Sequence, residues 1–202
     1  NVSLPKFGRP LIMDGTNTLD TFIAIFGALE YKIPFLLLHP NLTNSERHAR
    51  FRLFESIKEP LDRSIAVVML TSGTSGIPKP AKISRRALAA SAYSSACNIP
   101  LTESDRWLMS LSCARIGGFS ILTRSLMARS TVVLAKHFSS ETFCRAINAE
   151  KITLASIVPT MLSKLLDEQP LWKPHNGFRA ILLGGANATG KLLTTARQKG
   201  YP

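Results

Sequence analysis

Residues 65–79 of this chain read IAVVMLTSGTSGIPK, a short apolar run followed at once by a loop of small and hydroxylated residues. The first six are branched or otherwise apolar and predict a buried strand. In the loop, Gly73 and Gly76 permit backbone angles that are closed to other residues. Its hydroxyl groups, its backbone N–H groups and Lys79 are suited to phosphate oxygens. Composition alone also fits an ordinary polar turn, so only the order of the residues can distinguish a phosphate-binding loop from such a turn.

On both sides of this stretch, predicted strands alternate with predicted helices. Strands are predicted at residues 35–39, 65–70, 107–111, 131–135, 153–158 and 180–183. Helices are predicted at residues 19–32, 43–58, 85–96, 159–168 and 190–199. A further helix, ending near residue 128, is expected to follow the pair Gly117-Gly118, and another is expected to begin at Ser139 or Ser140. The pattern predicts an α/β fold of layered, alternating strands and helices with a mostly parallel sheet.

Bulk composition is that of an ordinary globular protein. Hydrophobic residues make up 45% and charged residues 19% of the 202, and no apolar run approaches the ~20 residues that span a bilayer. The net charge of +12 is scattered, without the basic footprint that marks nucleic-acid binding. Three widely spaced cysteines without a CxxC pair predict free thiols in a reducing cytoplasm and no metal site. We therefore expect small anionic ligands, no nucleic acid and no membrane span.

The order of residues in the loop resembles the signature of the adenylate-forming superfamily, which includes acyl- and aryl-CoA synthetases, nonribosomal adenylation domains and luciferases. That signature is a hydrophobic lead, here Val68, then small and hydroxylated residues around two glycines, then Pro-Lys. Three later segments agree in the same order, namely residues 107–127, 157–160 (IVPT) and 182–186 (LLGGA). The resemblance covers the chain from about Leu19 to Pro202.

This resemblance implies an enzyme that uses ATP and Mg²⁺ to activate a carboxylic acid as an acyl-adenylate and then transfers the acyl group to coenzyme A. It implies a catalytic role for Lys79. It implies nucleotide binding by Thr71, Ser72, Gly73, Thr74, Ser75, Gly76 and Lys79 and, on the adenine side, by Gly184, Gly185 and Ala186. The family's Tyr-Gly-x-Thr-Glu motif and its C-terminal domain do not occur in the 202 residues. We therefore expect residues 1–202 to be part of an N-terminal AMP-binding domain that is inactive alone.

The acid is predicted from residues 112–119, SCARIGGF. Many relatives carry an aromatic–His pair where this chain has Ala114-Arg115. A guanidinium there is suited to a second carboxylate on the substrate, although a surface arginine or a structural ion pair fits equally well. Residues 121–126 and 131–134 resemble o-succinylbenzoate–CoA ligases of menaquinone synthesis, whose substrate is a dicarboxylate. The predicted substrate-binding residues are Arg115, Gly117, Gly118 and Phe119.

Two other functions remain open on the sequence. Residues 185–191, GANATGK, match the phosphate loop of P-loop NTPases, but Leu192 stands where a hydroxyl group should bind Mg²⁺. The chain could also be a stand-alone nucleotide-binding or interaction module without catalysis. The sequence does not indicate an oligomeric state.

Overall fold

The computed structural model describes residues 9–55, 61–71, 79–135 and 137–202. Among them strands alternate with helices, and five of the six strand pairings are parallel, which confirms the predicted α/β class. The chain divides into two compact units: unit 1 is Asn1–Ser91 with Ser112–Ile116, and unit 2 is Ala92–Leu111 with Gly117–Pro202. None of the helices in the described ranges has the length and apolar character needed to cross a membrane.

Unit 1 contains a four-stranded sheet in the order β1-β2-β3-β4. Its elements are β1 (Leu11–Asp14), α1 (Leu19–Glu30), β2 (Phe35–Leu38), α2 (Asn44–Glu55), β3 (Ile65–Leu70), β4 (Pro80–Ser84) and the beginning of α3 (Arg85–Asn98). The first three strands are parallel, and β4 runs antiparallel to β3. Sequence analysis missed β1 and β4. The first is a half-exposed run of four residues, and the second begins with proline and carries an exposed lysine, as edge strands do.

The structure confirms the predicted helix α1, which carries apolar residues on both its buried and its exposed faces. The buried side chains are Phe22, Ile25 and Ala28, whereas Leu19 and Ile23 are 66% and 61% exposed. Both sets follow helical spacing because the helix is apolar around most of its circumference. Periodicity alone therefore cannot choose between the two faces.

Unit 2 contains a second sheet, in the order β6-β5-β7-β8, in which every pairing is parallel. Its elements are β5 (Arg106–Met109), α4 (Ile116–Ala128), β6 (Thr131–Leu134), α5 (Ser140–Ala149), β7 (Leu154–Ile157), α6 (Pro159–Glu168), β8 (Ala180–Leu183) and α7 (Gly190–Gln198). The prediction that Gly117 and Gly118 precede α4 is wrong, because both lie in its first turn. Burial of Phe119, Ile121 and Leu122 just after them stabilises the helix, since tertiary packing outweighs intrinsic propensity.

Helices α5, α6 and α7 contribute to the main core of unit 2. Ile147 of α5, Leu165 of α6 and Ala196 of α7 belong to one buried cluster with Ala155 of β7. The ring of Trp172 adds edge contacts with neighbouring aromatic rings at centroid distances of 5.3 to 6.4 Å. Both tryptophans of the chain lie in unit 2, so tryptophan fluorescence reports the unfolding of this unit.

Asp105 ties together the beginnings of three strands in unit 2. It precedes β5, while Thr153 and Arg179 precede β7 and β8. The Arg179 guanidinium donates to both carboxylate oxygens at 3.1 and 3.0 Å, the Thr153 hydroxyl donates to one at 2.7 Å, and the Thr102 N–H donates to the other at 2.8 Å. Burial raises the pKa of Asp105, but these hydrogen bonds and the Arg179 charge outweigh it and lower the pKa from 3.8 to about 2.

In unit 1 the segment Ser112–Ile116 packs on the end of β1. The Ser112 hydroxyl donates to the Gly15 carbonyl at 3.3 Å, and the Cys113 N–H donates to Asn17 Oδ1 at 3.2 Å. A methyl group added to Gly15 would lie 2.6 Å from Cβ of Ala114 and 3.0 and 3.1 Å from its backbone N and Cα. Position 15 therefore requires glycine, because the two stretches of backbone approach each other too closely for a side chain.

We expect Asp105→Asn to destabilise unit 2 by about 2 kcal/mol at neutral pH, because the variant loses the charged interaction with Arg179. In the wild type this contribution is present above the unfolded pKa of about 4. It is lost as the pH falls toward the folded pKa of about 2. Urea unfolding followed by tryptophan fluorescence between pH 7 and pH 2 measures both effects, and the variant should lack this part of the acid dependence.

The control for this variant is Glu103→Gln. Glu103 lies 3.9 Å from Arg129, and both side chains are mostly exposed, so its removal should change the free energy of unfolding by less than about 0.5 kcal/mol. An Asp105→Asn protein as stable as wild type at pH 7 would show that Asp105 does not stabilise the three strands.

We expect Gly15→Ala to lower the stability of unit 1 by about 1 to 3 kcal/mol, because the added methyl group forces the Ser112–Ile116 segment away from β1. Gly27→Ala is the matched control. Gly27 lies inside α1 with nothing within 4 Å of an added Cβ, so this change should stabilise by about 0.5 to 1 kcal/mol. Thermal unfolding followed by circular dichroism compares the two, and effects of the same sign would contradict the packing argument.

Candidate functional site

The carboxyl edge of the unit 1 sheet collects residues from separate parts of the chain. Strands β1 and β2 end in register at Asp14 and Leu38, and β3 runs parallel to β2 and ends at Leu70. Continuing this register, the next residues form a row across the edge, in the order Gly15, His39 and Thr71. In open parallel sheets ligands bind at this edge, so the predicted phosphate loop begins where a ligand is expected.

The loop between β3 and β4 is closed at its base by its first and last residues. The Thr71 N–H and hydroxyl both donate to the Lys79 carbonyl, at 3.0 and 3.2 Å. Both residues are exposed, and no carboxylate of the described chain pairs with the Lys79 ammonium. The remaining predicted phosphate ligands, Ser72, Gly73, Thr74, Ser75 and Gly76, lie outside the described residues. The structure therefore brings Thr71 and Lys79 together at the carboxyl edge.

Arg115 reaches the same edge through the segment that packs on β1. The turn closes when the Arg115 N–H donates to the Ser112 carbonyl at 3.1 Å, and Ser112 is bonded in turn to Gly15. The Arg115 side chain is exposed. Within the described ranges its guanidinium lies within 4 Å of no carboxylate, so it is accessible to an anionic ligand.

In unit 2, Gly184, Gly185 and Ala186 follow β8 at the carboxyl edge of the second sheet. The Gly184 N–H donates to the Ile157 carbonyl at 3.3 Å. Gly185 has a φ of +82°, and a Cβ there would lie 3.2 Å from Cγ1 of Val158. This turn therefore favours glycine on two counts. All three residues are exposed and present an open backbone surface, as a flat ring would need.

The other predicted substrate residues differ in accessibility. Gly117 is exposed in the first turn of α4, whereas Gly118 is buried and Phe119 is completely buried. Phe119 thus packs in the core of unit 2. A substrate contact by its ring stays a prediction.

Sequence analysis missed Arg124, a partly buried arginine on α4. Its guanidinium carbon lies 5.7 Å from the centre of the Trp107 ring, and burial lowers its pKa. Its Nε is buried and has no hydrogen-bond partner among the described residues. A buried donor of this kind is costly unless an acceptor satisfies it, so Arg124 is a second candidate for binding an anion. The available signal was a single arginine in an otherwise uncharged helix.

His39 was missed as well. It follows β2 in the row at the carboxyl edge of unit 1, and its side chain is half-buried. Burial and, after it, the charge of Arg115 lower the pKa of His39. The ring is therefore neutral over a wider pH range than an ordinary histidine.

The P-loop alternative receives no support from the start of α7. The Thr189 hydroxyl accepts a hydrogen bond from the Leu192 N–H at 3.3 Å and caps the helix. Leu192, at the position where P-loop proteins use a metal-binding hydroxyl, packs against the core of unit 2. The start of α7 therefore lacks the metal-binding hydroxyl group that a P-loop requires.

Comparison with known proteins identifies the family. A family model described as "AMP-binding enzyme" matches residues 52–202. The 2-succinylbenzoate–CoA ligase of Bacillus subtilis is 42% identical over 137 residues, which are 68% of this chain and 28% of that protein. The corresponding enzyme of Listeria innocua is 37% identical over 68% of this chain and 29% of its own length. The chain thus spans less than a third of these curated relatives.

Solved structures agree with the fold. The o-succinylbenzoate coenzyme A synthetase of B. subtilis in complex with AMP superimposes with a TM-score of 0.83 at 29% identity, covering 98% of this chain and 60% of that one. The same enzyme in complex with ATP and magnesium gives a TM-score of 0.67 at 32% identity, covering 96% and 43%. The match over three quarters of the chain, with the loop and the glycine turn at the carboxyl edges of parallel strands, shows that this chain belongs to the AMP-binding enzyme family.

Proposed function

We propose that this chain carries the nucleotide and acid sites of a ligase that activates a carboxylic acid with ATP and transfers it to coenzyme A. The observation that carries the proposal is the loop closed by Thr71 and Lys79 at the carboxyl edge of parallel strands, in a member of the AMP-binding family. Relatives named 2-succinylbenzoate–CoA ligase support o-succinylbenzoate as the acid.

The reaction has two displacement steps. A carboxylate oxygen of the acid attacks the α-phosphorus of ATP, and the bond to the β-phosphate oxygen breaks, which gives an acyl-adenylate and pyrophosphate. The thiol sulfur of coenzyme A then attacks the acyl carbon, AMP leaves with the electron pair, and the thiol proton goes to solvent. Lys79 is the proposed catalytic residue. Its ammonium neutralises charge on the phosphates during the first step. The Gly184–Ala186 backbone is a proposed contact for adenine.

Magnesium is proposed to arrive with the nucleotide. Among the residues that the structure describes, no group of three or more His, Cys, Asp or Glu side chains could hold a metal ion. Mg²⁺ commonly binds through substrate phosphates and keeps several waters. When bound, it would neutralise triphosphate charge, to which the Lys79 ammonium would add its own positive charge.

We propose that the acid carries two carboxylates and that a guanidinium binds the one that does not react. Arg115 is exposed and without a carboxylate partner among the described residues, and Arg124 has a buried Nε that lacks an acceptor there. A guanidinium suits a carboxylate because its planar donors match the two oxygens. The relatives' named substrate, 2-succinylbenzoate, has two carboxylates and supports this choice.

We propose a cytoplasmic setting with small molecules as the only ligands. Cys97, Cys113 and Cys144 are free, and Cys97 is exposed, which suits a reducing compartment. A nucleotide-binding module without catalysis would differ from a ligase in one measurable respect, because it would bind ATP without releasing pyrophosphate.

We expect the complete gene product that carries this chain to release pyrophosphate from ATP when o-succinylbenzoate is added, and to form the CoA thioester when coenzyme A follows. Lys79→Ala should lower the rate of acid-dependent pyrophosphate release by about 100-fold, because the variant lacks the positive charge that neutralises the phosphates. Lys82→Ala removes an exposed lysine three residues further on, in β4, and should leave the rate unchanged. ATP binding without any acid-dependent pyrophosphate would favour the non-catalytic module.

We expect Arg115→Ala to lower kcat/KM for o-succinylbenzoate by about tenfold or more, while kcat/KM for benzoate stays within about twofold. Benzoate lacks the second carboxylate, so a loss restricted to the dicarboxylate identifies the interaction. Arg86→Ala, an exposed arginine on α3, is the control. If Arg124→Met removes the preference for the dicarboxylate and Arg115→Ala does not, the second carboxylate binds at Arg124.

A further inference from the structure

His39 lies between the two parts of the unit 1 site. The β1–β2 register pairs Asp14 with Leu38, and the Gly15 N–H donates to the Leu38 carbonyl at 2.8 Å. His39 is the next residue. On the other side, β3 continues to Thr71, where the phosphate loop begins. The imidazole is therefore carried by the strand that separates the β1 end from the phosphate loop.

The hydrogen bonds of the ring fix which nitrogen is available. The Asn41 N–H donates to Nδ1 of His39 at 3.2 Å, so the neutral ring carries its proton on Nε2. Within the described ranges Nε2 has no hydrogen-bond partner. A half-buried N–H donor without a protein acceptor is available to a ligand.

Backbone contacts hold the turn that carries Arg115 at the same edge of the sheet as His39. The Gly15 N–H is hydrogen-bonded to Leu38, the residue before His39, and the Gly15 carbonyl accepts a hydrogen bond from the Ser112 hydroxyl at 3.3 Å. The Arg115 N–H donates to the Ser112 carbonyl at 3.1 Å and closes the turn. Arg115 also interacts electrostatically with His39. Burial is the larger cause that lowers the pKa of His39, and the positive charge of Arg115 is the second. A cation and a neutral donor thus share one edge of the sheet.

We propose that His39 is a further substrate-binding residue, whose Nε2–H donates a hydrogen bond to the carboxylate that Arg115 binds. A carboxylate has more lone-pair sites than one guanidinium fills, and a neutral imidazole adds a directed donor without placing a second positive charge beside Arg115. The inference rests on the proposed function, since it assumes that the ligand of Arg115 is the second carboxylate of the acid.

The test uses the complete gene product with His39→Phe, His39→Gln and His48→Phe. Gln keeps an N–H donor at similar reach, whereas Phe keeps the ring and removes the donor. His48 is an exposed histidine on α2, bonded through Nδ1 to the Asn44 carbonyl, and serves as the control. Steady-state assays measure KM and kcat for o-succinylbenzoate, benzoate and ATP.

We expect His39→Phe to raise KM for o-succinylbenzoate about tenfold, the effect of losing one hydrogen bond to a charged group. KM for benzoate and for ATP, and kcat, should stay within about twofold. His39→Gln should recover most of the loss, and His48→Phe should match wild type. An unchanged KM for o-succinylbenzoate in His39→Phe, a rise in KM for ATP instead, or a His39→Gln protein no better than His39→Phe would each overturn the proposal.

A binding measurement separates this inference from the proposed function. In the wild-type protein, ring-nitrogen NMR should show a shift of His39 Nε2 on titration with o-succinylbenzoate, and Arg115→Ala should abolish the shift. No acid-dependent pyrophosphate release by wild type, together with this shift, would reject the ligase and retain the carboxylate site. Normal pyrophosphate release without the shift would retain the ligase and reject the role of His39.

Discussion

Parallel strand pairing with a shared register is the constraint on which both candidate sites depend. In a parallel sheet all strands end at the same edge, so residues that follow different strands become neighbours. In unit 1 this brings His39, after β2, beside Thr71, after β3. In unit 2 it brings Gly184 against the end of β7, where its N–H bonds to Ile157. The chemistry of each edge is therefore assembled from loops, whereas the strands decide which loops meet.

The two edges of the unit 2 sheet differ in polarity and exposure. At the amino edge, Asp105 and Arg179 fix the beginnings of three strands with a nearly buried carboxylate whose donors are all supplied by the protein. At the carboxyl edge, the Gly184–Ala186 backbone is exposed. The strands have four residues and are about 13 Å long. Asp105 and Arg179 form an ion pair without net charge, so at this distance the pair acts little on an anionic ligand at the other edge.

The sequence was sufficient where local pattern and tertiary structure agree. Two predicted features need only neighbours in sequence. One is the strand before Thr71, and the other is the start of α2, where Thr43 and Glu46 form a capping box with hydrogen bonds of 2.8 and 3.2 Å. Strands β1 and β4 were missed because a short edge strand has no periodicity of its own. His39 and Arg124 were missed for a different reason. His39 is a candidate because its Nε2–H has no acceptor among the described residues, and Arg124 because its guanidinium lies over the ring of Trp107 in another element. No local sequence pattern encodes either property.

Packing explains why a small residue stands at position 114, next to Arg115. Ala114 is buried against the Gly15 backbone, with no room for even a methyl group between them. An aromatic side chain at 114 would require room that this close approach does not leave. The small residue lets the turn lie on β1, and the exposed guanidinium of the next residue then stands at the sheet edge beside His39. Both the packing of Ala114 and the position of Arg115 depend on Gly15, because only a residue without a side chain lets the turn come this close to β1. The turn then brings the positive charge of Arg115 to the sheet edge at which the phosphate loop begins.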